Sequence, residues 1–259
     1  YDQDGVVINS NYNRIQGRLG QTITKKKLKI NLNVNYSETR QKGASPSTAS
    51  YSGMNNLFYS VWGYRPVTQP GLPLHSLVEN ATDDDVNGTN DYRFNPIMSL
   101  NNEYNKRTNT YMQFNGYLEY EFLKGLRLKV SGGYTDTRYN TDVFNNSKTR
   151  YGSKISTEKV NAQVTRAKRA TWLNENTLTW QTDIKQRHFF NSLLGFSLQN
   201  SDYEYYQFKT INIPNESLGM AGMDQGTPTK TLSAKSSWSM MSFFGRFNYN
   251  YKQKYYVTA

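Results

Sequence analysis

The sequence lacks cysteine, has only two histidines among 259 residues, and contains no long apolar run. Without cysteine, disulfides, thiolate metal sites and a Cys–His catalytic pair are excluded. No segment approaches the roughly 18 apolar residues that a membrane-spanning helix needs. P-loop, HExxH and nucleophile-elbow motifs are missing too, and His75 lies far from His188 in the chain. These absences indicate that the chain is not an enzyme.

The strongest positive signal is the strict alternation of apolar and polar residues from Leu28 to Tyr36. Successive strand residues point to opposite faces, so this strand has one apolar and one polar face. Six further segments alternate over about ten residues or more, longer than the ~5–6 residues usual in soluble sheets. The connections between them are alternately short and long. This pattern predicts an all-β fold, part of a large antiparallel transmembrane β-barrel with short turns on one side and long loops on the other.

The predicted long connections run from residue 38 to about 106, from 136 to about 169, and from about 200 to 237, and residues 54–62 form a short helix in the first. Long loops on a rigid scaffold commonly serve binding. The chain ends in what resembles an interrupted strand. We therefore expect residues 1–259 to be a fragment of one barrel domain, with about seven strands and the start of an eighth.

Side-chain facing predicts the register of one hairpin, because Phe122 and Leu126 share the apolar face. A turn at residues 123–125 places Glu121 opposite Arg127 and Glu119 opposite Lys129, on the polar face that would line the lumen. Gly125 is free to take a positive φ there. Two further hairpins should place Ile23 opposite Leu28 and Tyr251 opposite Tyr255. All three turns should lie on one side of the membrane, near an aromatic girdle formed by Trp180, Tyr120, Tyr249 and Tyr251.

One acidic segment resembles the start of a calcium loop. Asp83, Asp85 and Asn87 occupy alternate positions before Gly88, as in such loops. The closing glutamate is missing, because Phe94 holds the twelfth position. The alternative is a solvated acidic turn without calcium.

A basic segment spans residues 148–169, with seven Lys or Arg against one Glu. Nucleic-acid binding would need a docking element, and none is apparent, so we expect no nucleic-acid partner. At the outer rim of a barrel the same charge would meet lipopolysaccharide phosphates, and a solvated loop is the simplest alternative. Among the aromatic residues of the first long connection, Trp62 and Tyr64 are candidates for substrate contact, whereas the others would anchor the loop.

Several ordered segments resemble the SusC/RagA-like TonB-dependent transporters of Gram-negative outer membranes. The matching segments are Asn31–Ser37, Asn95–Leu100, Tyr117–Leu126, Asn174–Leu178, Leu194–Ser197, Ile213–Gly219 and Phe244–Lys252. The resemblance implies a 22-stranded barrel in the outer membrane, in contact with its lipids and lipopolysaccharide and filled by a plug that lies outside this chain. It also implies import of oligosaccharides or peptides, a SusD-like lipoprotein partner that forms a lid, and a TonB complex that supplies energy.

Two alternatives remain open from the residues alone. One is a soluble or surface β-sheet binding module, such as a carbohydrate-binding or adhesin-like domain. The other is a passive porin. A soluble sheet would bury its apolar face, whereas a barrel would leave that face bare toward lipid. The residues that decide between them are Leu28, Leu32, Phe114, Leu128, Phe196 and Phe247.

Overall fold

A computed structural model describes residues 1–43, 57–64 and 94–259, which form one antiparallel sheet whose strand order is the chain order. The strands are β1 Asp2–Asp4, β2 Asn11–Lys25, β3 Leu28–Lys42, β4 Tyr104–Leu123, β5 Leu126–Asn145, β6 Asn161–Ile184, β7 His188–Ile211, β8 Thr227–Tyr251 and β9 Tyr255–Thr258. Two short helices, α1 Leu57–Gly63 and α2 Pro96–Asn102, and a 3₁₀ segment, Glu216–Gln225, lie in the connections. In the described ranges no helix is both long and apolar enough to cross a membrane.

The predicted all-β antiparallel architecture is confirmed, and the seven long strands correspond to β2–β8. The short strand β1 was not predicted because its three residues are all polar. It is held by backbone pairing, with Gln3 opposite Tyr12, and by the Asn11 side chain, which donates to Asp2 and Asp4 at 2.9 Å each. Predicted helix 54–62 corresponds to α1, whose described residues begin at Leu57.

The predicted bounds of the long connections are wrong, because the strands continue beyond the alternating segments. β3 extends to Lys42, β5 to Asn145 and β7 to Ile211. The actual connections are residues 43–103, 146–160 and 212–226. At these strand ends the backbone ladder persists, while polar residues dominate both faces and apolar ones such as Phe144 and Phe208 are isolated. Periodicity in hydrophobicity vanishes there, although hydrogen bonding does not.

The short turns follow the prediction in part. Tyr251 does oppose Tyr255, and Lys252 and Gln253 adopt φ of 51° and 56° in the turn between them. The predicted pairing of Ile23 with Leu28 is wrong, since Lys25 pairs with Leu28. Lys26 takes a positive φ of 53°, which shortens the loop to two residues and adds one more backbone pair.

The β4–β5 hairpin has the predicted register over most of its length, with Glu121 opposite Arg127 and Glu119 opposite Lys129. Its turn is shorter than predicted, because Leu123 pairs with Leu126 and a bulge leaves Phe122 without a partner in the ladder. Gly125 has φ of 82°, and a Cβ there would lie 1.9 Å from the Gln181 carbonyl oxygen. Glycine is therefore required by both conformation and space.

The two faces of the sheet differ in chemistry. Residues paired across an antiparallel ladder share a face, so the register defines transverse rows of side chains. The row through Ile30, Leu118, Val130, Phe196 and Phe243 belongs to the apolar face. Phe243 is 74% exposed there, and none of the described elements covers these apolar rows. At the outer end of the same face, Met223 of the 3₁₀ segment clusters with Phe144 and Ala162. The six residues expected to face lipid all lie on it: Leu28, Leu32, Phe114, Leu128, Phe196 and Phe247.

The sheet is open at both edges. Residues 15–25 of β2 pair only with β3, and residues 227–246 of β8 pair only with β7, so the outer side of each segment has no strand partner within the described ranges. Unpaired N–H and C=O groups along an edge invite another strand. Both edges are consistent with one wall of a larger barrel.

Candidate functional site: the loop cap and the polar face

Most buried side chains lie at the end of the sheet opposite the short turns, where the connections fold over the strand ends. We call α1, residues 94–103, residues 146–160 and residues 212–226 the loop cap. Its buried residues include Ser60, Phe94, Asn95, Ser99, Leu100, Thr149, Arg150, Ser153, Ile213 and Met223. A rigid, packed arrangement of connections is the kind of surface on which binding sites are usually built.

The first two connections interlock through Ser99 of α2. Its hydroxyl accepts a hydrogen bond from the Arg150 amide at 3.1 Å and donates one to Glu103 at 2.6 Å. The Arg150 guanidinium donates to the hydroxyl of Ser60 in α1 at 3.4 Å. Asn95 caps α2, since its side chain accepts from two amides of the first turn. The Asn95–Pro96 pair is a helix-start signal that the sequence analysis did not use, so α2 was missed.

Glu103 is a partly buried carboxyl group of this arrangement. Burial raises its pKa, and the hydrogen bond from Ser99 only partly opposes that shift. Burial also raises the pKa of the neighbouring Tyr151 hydroxyl, with Glu103 contributing in the same direction. Desolvation disfavours the charged form of both groups.

The second and third connections interlock through Glu216. Its carboxylate accepts hydrogen bonds from the Ser147 amide at 2.7 Å and the Ser147 hydroxyl at 2.9 Å. Beneath them Ile213 packs in a small apolar cluster with Phe144, Ala162 and Met223. The middle connection therefore touches both of its neighbours, and the three connections form one body.

The predicted binding residues have different outcomes. Trp62 lies in α1, which is part of the loop cap, and is 74% exposed. The Tyr64 amide donates to the Ser60 carbonyl at 3.0 Å. Their role as substrate contacts stays a prediction. The proposed calcium ligands Asp83, Asp85 and Asn87 lie outside the described residues, so that prediction is untested.

The expectation that residues 148–169 form a basic loop is wrong for its second half, which belongs to β6. Strand geometry separates its charges onto two faces. Arg166 and Lys168 lie on the apolar-face side, above the apolar rows, where they pair with Asp142 and Asp136. Arg169 lies on the polar face, 4.8 Å from the Tyr203 ring.

The predicted opposite charges of β4 and β5 face each other in register but do not form ion pairs. Glu121 instead accepts from the Gly125 amide at 3.0 Å, and Arg127 donates to the Gln181 side chain at 2.7 Å. Lys129 lies 4.4 Å from the Tyr117 ring. Local partners in the turn and on the neighbouring strand are closer than the opposed charges. The location of the four predicted charges in a lumen stays a prediction.

Aromatic side chains gather near the short turns on the apolar face. Phe190 contacts Tyr249 at a ring-centroid distance of 4.9 Å and lies 6.4 Å from Trp180. Tyr120 makes an edge contact with Phe122 at 4.9 Å. Such a band is typical of the interface region of membrane barrels. Antiparallel order places all four short turns at this same end of the sheet.

No protein-family model matches the chain. It is 32% identical over 128 residues to the TonB-dependent receptor P26 of Formosa agariphila, covering 46% of this chain and 13% of that protein. Over its whole length it is 26% identical to the TonB-dependent receptor P3 and 23% identical to P39 of the same organism. The chain thus spans 13 to 25% of the length of these curated relatives.

Solved structures give the same fold. The RagAB peptide transporter superposes with a TM-score of 0.71 at 16% identity, over 96% of this chain and 27% of that chain. The ferric preacinetobactin receptor BauA of Acinetobacter baumannii matches with a TM-score of 0.51 at 10% identity, over 99% of this chain and 34% of that chain. The resemblance to TonB-dependent transporters is therefore confirmed in sequence and fold. The sheet is a segment of the β-barrel that these proteins share.

Proposed function

We propose that this chain forms part of the membrane wall and outer loops of an outer-membrane importer driven by a TonB complex. The observation that carries the proposal is the uncovered apolar face, which continues across β3–β8. The opposite face is mostly polar, although it holds Leu193, Trp238 and Phe244 toward β8. A β-strand barrel in lipid requires this arrangement, because alternate residues face hydrocarbon and lumen. The likeness to TonB-dependent receptors supports import, and nothing in the described residues favours catalysis.

The proposal requires one orientation in the outer membrane, with the short turns facing the periplasm and the loop cap facing the outside of the cell. The absence of cysteine from the chain allows a direct test in the full-length protein, with any cysteine elsewhere replaced. Ser217→Cys reports on the loop cap, and Lys26→Cys reports on a short turn. An impermeant maleimide should label Ser217→Cys on intact cells, and Lys26→Cys only after lysis. The reverse pattern would contradict the orientation, and labelling of both on intact cells would contradict insertion.

The partner that we propose for the loop cap is a SusD-like surface lipoprotein. The three connections form one packed body that exposes Trp62, Ile97 and Leu218. Aromatic residues at the edge of a packed surface suit a protein interface. The substrate would be an oligosaccharide or a peptide, with Trp62 and Tyr64 as contact residues.

The partner is tested by replacing residues 217–225 with a short Gly/Ser linker, which keeps Glu216 and its bonds to Ser147. Cells labelled with a palmitate analogue reveal co-purified lipoprotein by its acyl chain. Recovery should fall strongly for the linker variant and stay unchanged for Lys26→Ser, a change at the opposite end. Equal recovery from both variants would remove residues 217–225 from the interface.

A further inference from the structure

The polar face is divided into two halves of different charge. Near the short turns it carries both signs, with Lys29, Glu119, Lys129 and Glu175 in two adjacent rows. Toward the loop cap, four rows across β2–β7 contain arginine but no carboxylate. We call these four rows the arginine surface. It begins with the row through Tyr12 and Gln41 and ends with the row through Arg18 and Asn35.

Four arginines lie on the arginine surface, two on β2, one on β4 and one on β6. They are Arg14, Arg18, Arg107 and Arg169. All four are exposed, and none forms an ion pair with a described residue. By contrast, Arg40, Arg138 and Arg166, at similar heights on the other face, are each paired with a carboxylate. The protein neutralises its arginines on one face and leaves them free on the other.

The remaining side chains of the arginine surface are of a narrow chemical type. Tyrosines recur on it, as Tyr12, Tyr111, Tyr139, Tyr203 and Tyr205. Every other position holds Ser, Thr, Asn or Gln, except Ala167. A peptide ligand would find no apolar pocket here for its side chains. A sugar chain would find hydroxyl and amide partners for its hydroxyls, and flat rings for its faces.

We propose that the arginine surface binds an anionic oligosaccharide, a chain of sugar rings bearing carboxylate or sulfate groups, on its way through the barrel. This inference rests on the proposed function, because it takes the polar face to be the lumen. Guanidinium groups present planar pairs of donors that match oxyanions. Unpaired cations on a concave wall also raise the local concentration of anions. The substrate class therefore follows from the separation of charge between the two faces.

The first experiment measures the potential at the surface without any assumption about the substrate. In the full-length protein, Thr137→Cys lies between Tyr111 and Arg169 in the register. The rate at which this cysteine is modified by an anionic, sulfonate-bearing methanethiosulfonate is divided by its rate of modification by the cationic trimethylammonium reagent. Ser197→Cys, which lies opposite Glu175 on the same face, is the control. This ratio is normalised to the same ratio for a free thiol in solution, because the two reagents differ in intrinsic reactivity. The normalised ratio should exceed one only at Thr137→Cys.

Adding Arg169→Gln should lower the ratio at Thr137→Cys about tenfold, because one charge at about 6 Å in water changes the rate of each reagent about threefold, in opposite directions. Arg40→Gln, on the opposite face, should leave it unchanged. A ratio near one at Thr137→Cys, or no reaction there, would overturn the inference. Failure of the importer proposal is separate, because the intact-cell labelling of Ser217→Cys and Lys26→Cys decides it.

The second experiment identifies the ligand class by protection of Thr137→Cys from the sulfonate reagent. The probes are oligogalacturonate, a sulfated galactan oligomer, a dextrin and an oligoglutamate. Protection by either charged sugar and not by dextrin supports the proposal and separates carboxylate from sulfate. Protection by oligoglutamate alone would assign an acidic peptide instead. No protection by any probe, or equal protection by dextrin, would overturn the oligosaccharide assignment.

Discussion

Arginine placed at successive depths on β5 should measure the membrane environment of the apolar face. Apolar-face residues of this strand run from Leu126 to Tyr134. Eight residue steps of ~3.4 Å span about 27 Å along the strand. A tilt of roughly 35–45° reduces this to about 19–22 Å along the membrane normal, close to the ~25 Å apolar band of outer-membrane barrels. Val130 lies at the midpoint.

Val130→Arg should therefore reduce the free energy of unfolding by about 2–4 kcal/mol, the cost of an arginine at the bilayer midplane. Tyr134→Arg, near the interface, should cost about 0–1 kcal/mol beyond the loss of the ring. Ser131→Arg is the matched control on the polar face. It forfeits only the hydrogen bond of the Ser131 hydroxyl to the Glu175 carbonyl, at 2.8 Å, which is worth about 1 kcal/mol.

The assay is urea unfolding of the full-length protein refolded into lipid vesicles, followed by tryptophan fluorescence. The decisive feature is the gradient with depth rather than any single value. Equal losses for Val130→Arg and Ser131→Arg would show that both faces of β5 meet the same environment. A larger loss of stability for Tyr134→Arg than for Val130→Arg would show that the midplane of the bilayer does not lie at Val130. Either result would refute the argument from the apolar face.

Three further changes test the turns and the loop cap. Gly125→Ala should destabilise the β4–β5 hairpin by at least 1–3 kcal/mol, because it adds a clash to a positive φ, whereas Gly132→Ala, with no atom closer than 3.8 Å, should change the urea midpoint little. Glu103 has a raised pKa in the folded state, so the stability of the loop cap should fall as pH rises from about 4.5. Protection of the amides of residues 99–103 from hydrogen exchange reports this stability. In Glu103→Gln the protection should lose its dependence on pH. Glu216→Ala should speed exchange of the Ser147 amide, since it removes a bond of about 1.5–3 kcal/mol, and unchanged protection would show that Glu216 does not join the connections.

The sequence contains enough information for the strands that face lipid, because hydrophobicity there has a period of two. The register of β4 and β5 followed from the apolar face that Phe122 and Leu126 share. That register placed Glu121 opposite Arg127 and Glu119 opposite Lys129. What could not be predicted was which partners those charges would choose. Glu121 bonds the Gly125 amide and Arg127 bonds Gln181, and neither contact leaves a mark in the spacing of residues.

The outer strand ends escaped prediction for a related reason. Above the apolar band both faces of a strand meet water or polar groups, so residues such as Arg138 and Thr137 no longer alternate in hydrophobicity. The strand persists because its backbone is paired. The loop cap was equally hidden, since its central contacts join Ser99 to Arg150 and Ser147 to Glu216 across separations of 51 and 69 residues. Polar contacts at such distances have no periodic signature.

The distribution of arginine shows how structure adds information to composition. In the sequence the lumen charge looked mixed, because residues of both faces are counted together along each strand. Asp136 lies two residues before Arg138, whereas Lys168 directly precedes Arg169. Arg138 lies 2.7 Å from Asp136, whereas Arg169 lies over a tyrosine ring. A paired arginine contributes little field beyond its partner, but an unpaired one attracts anions. The charge that acts on a solute is therefore set by which face an arginine occupies, and the register alone determines that.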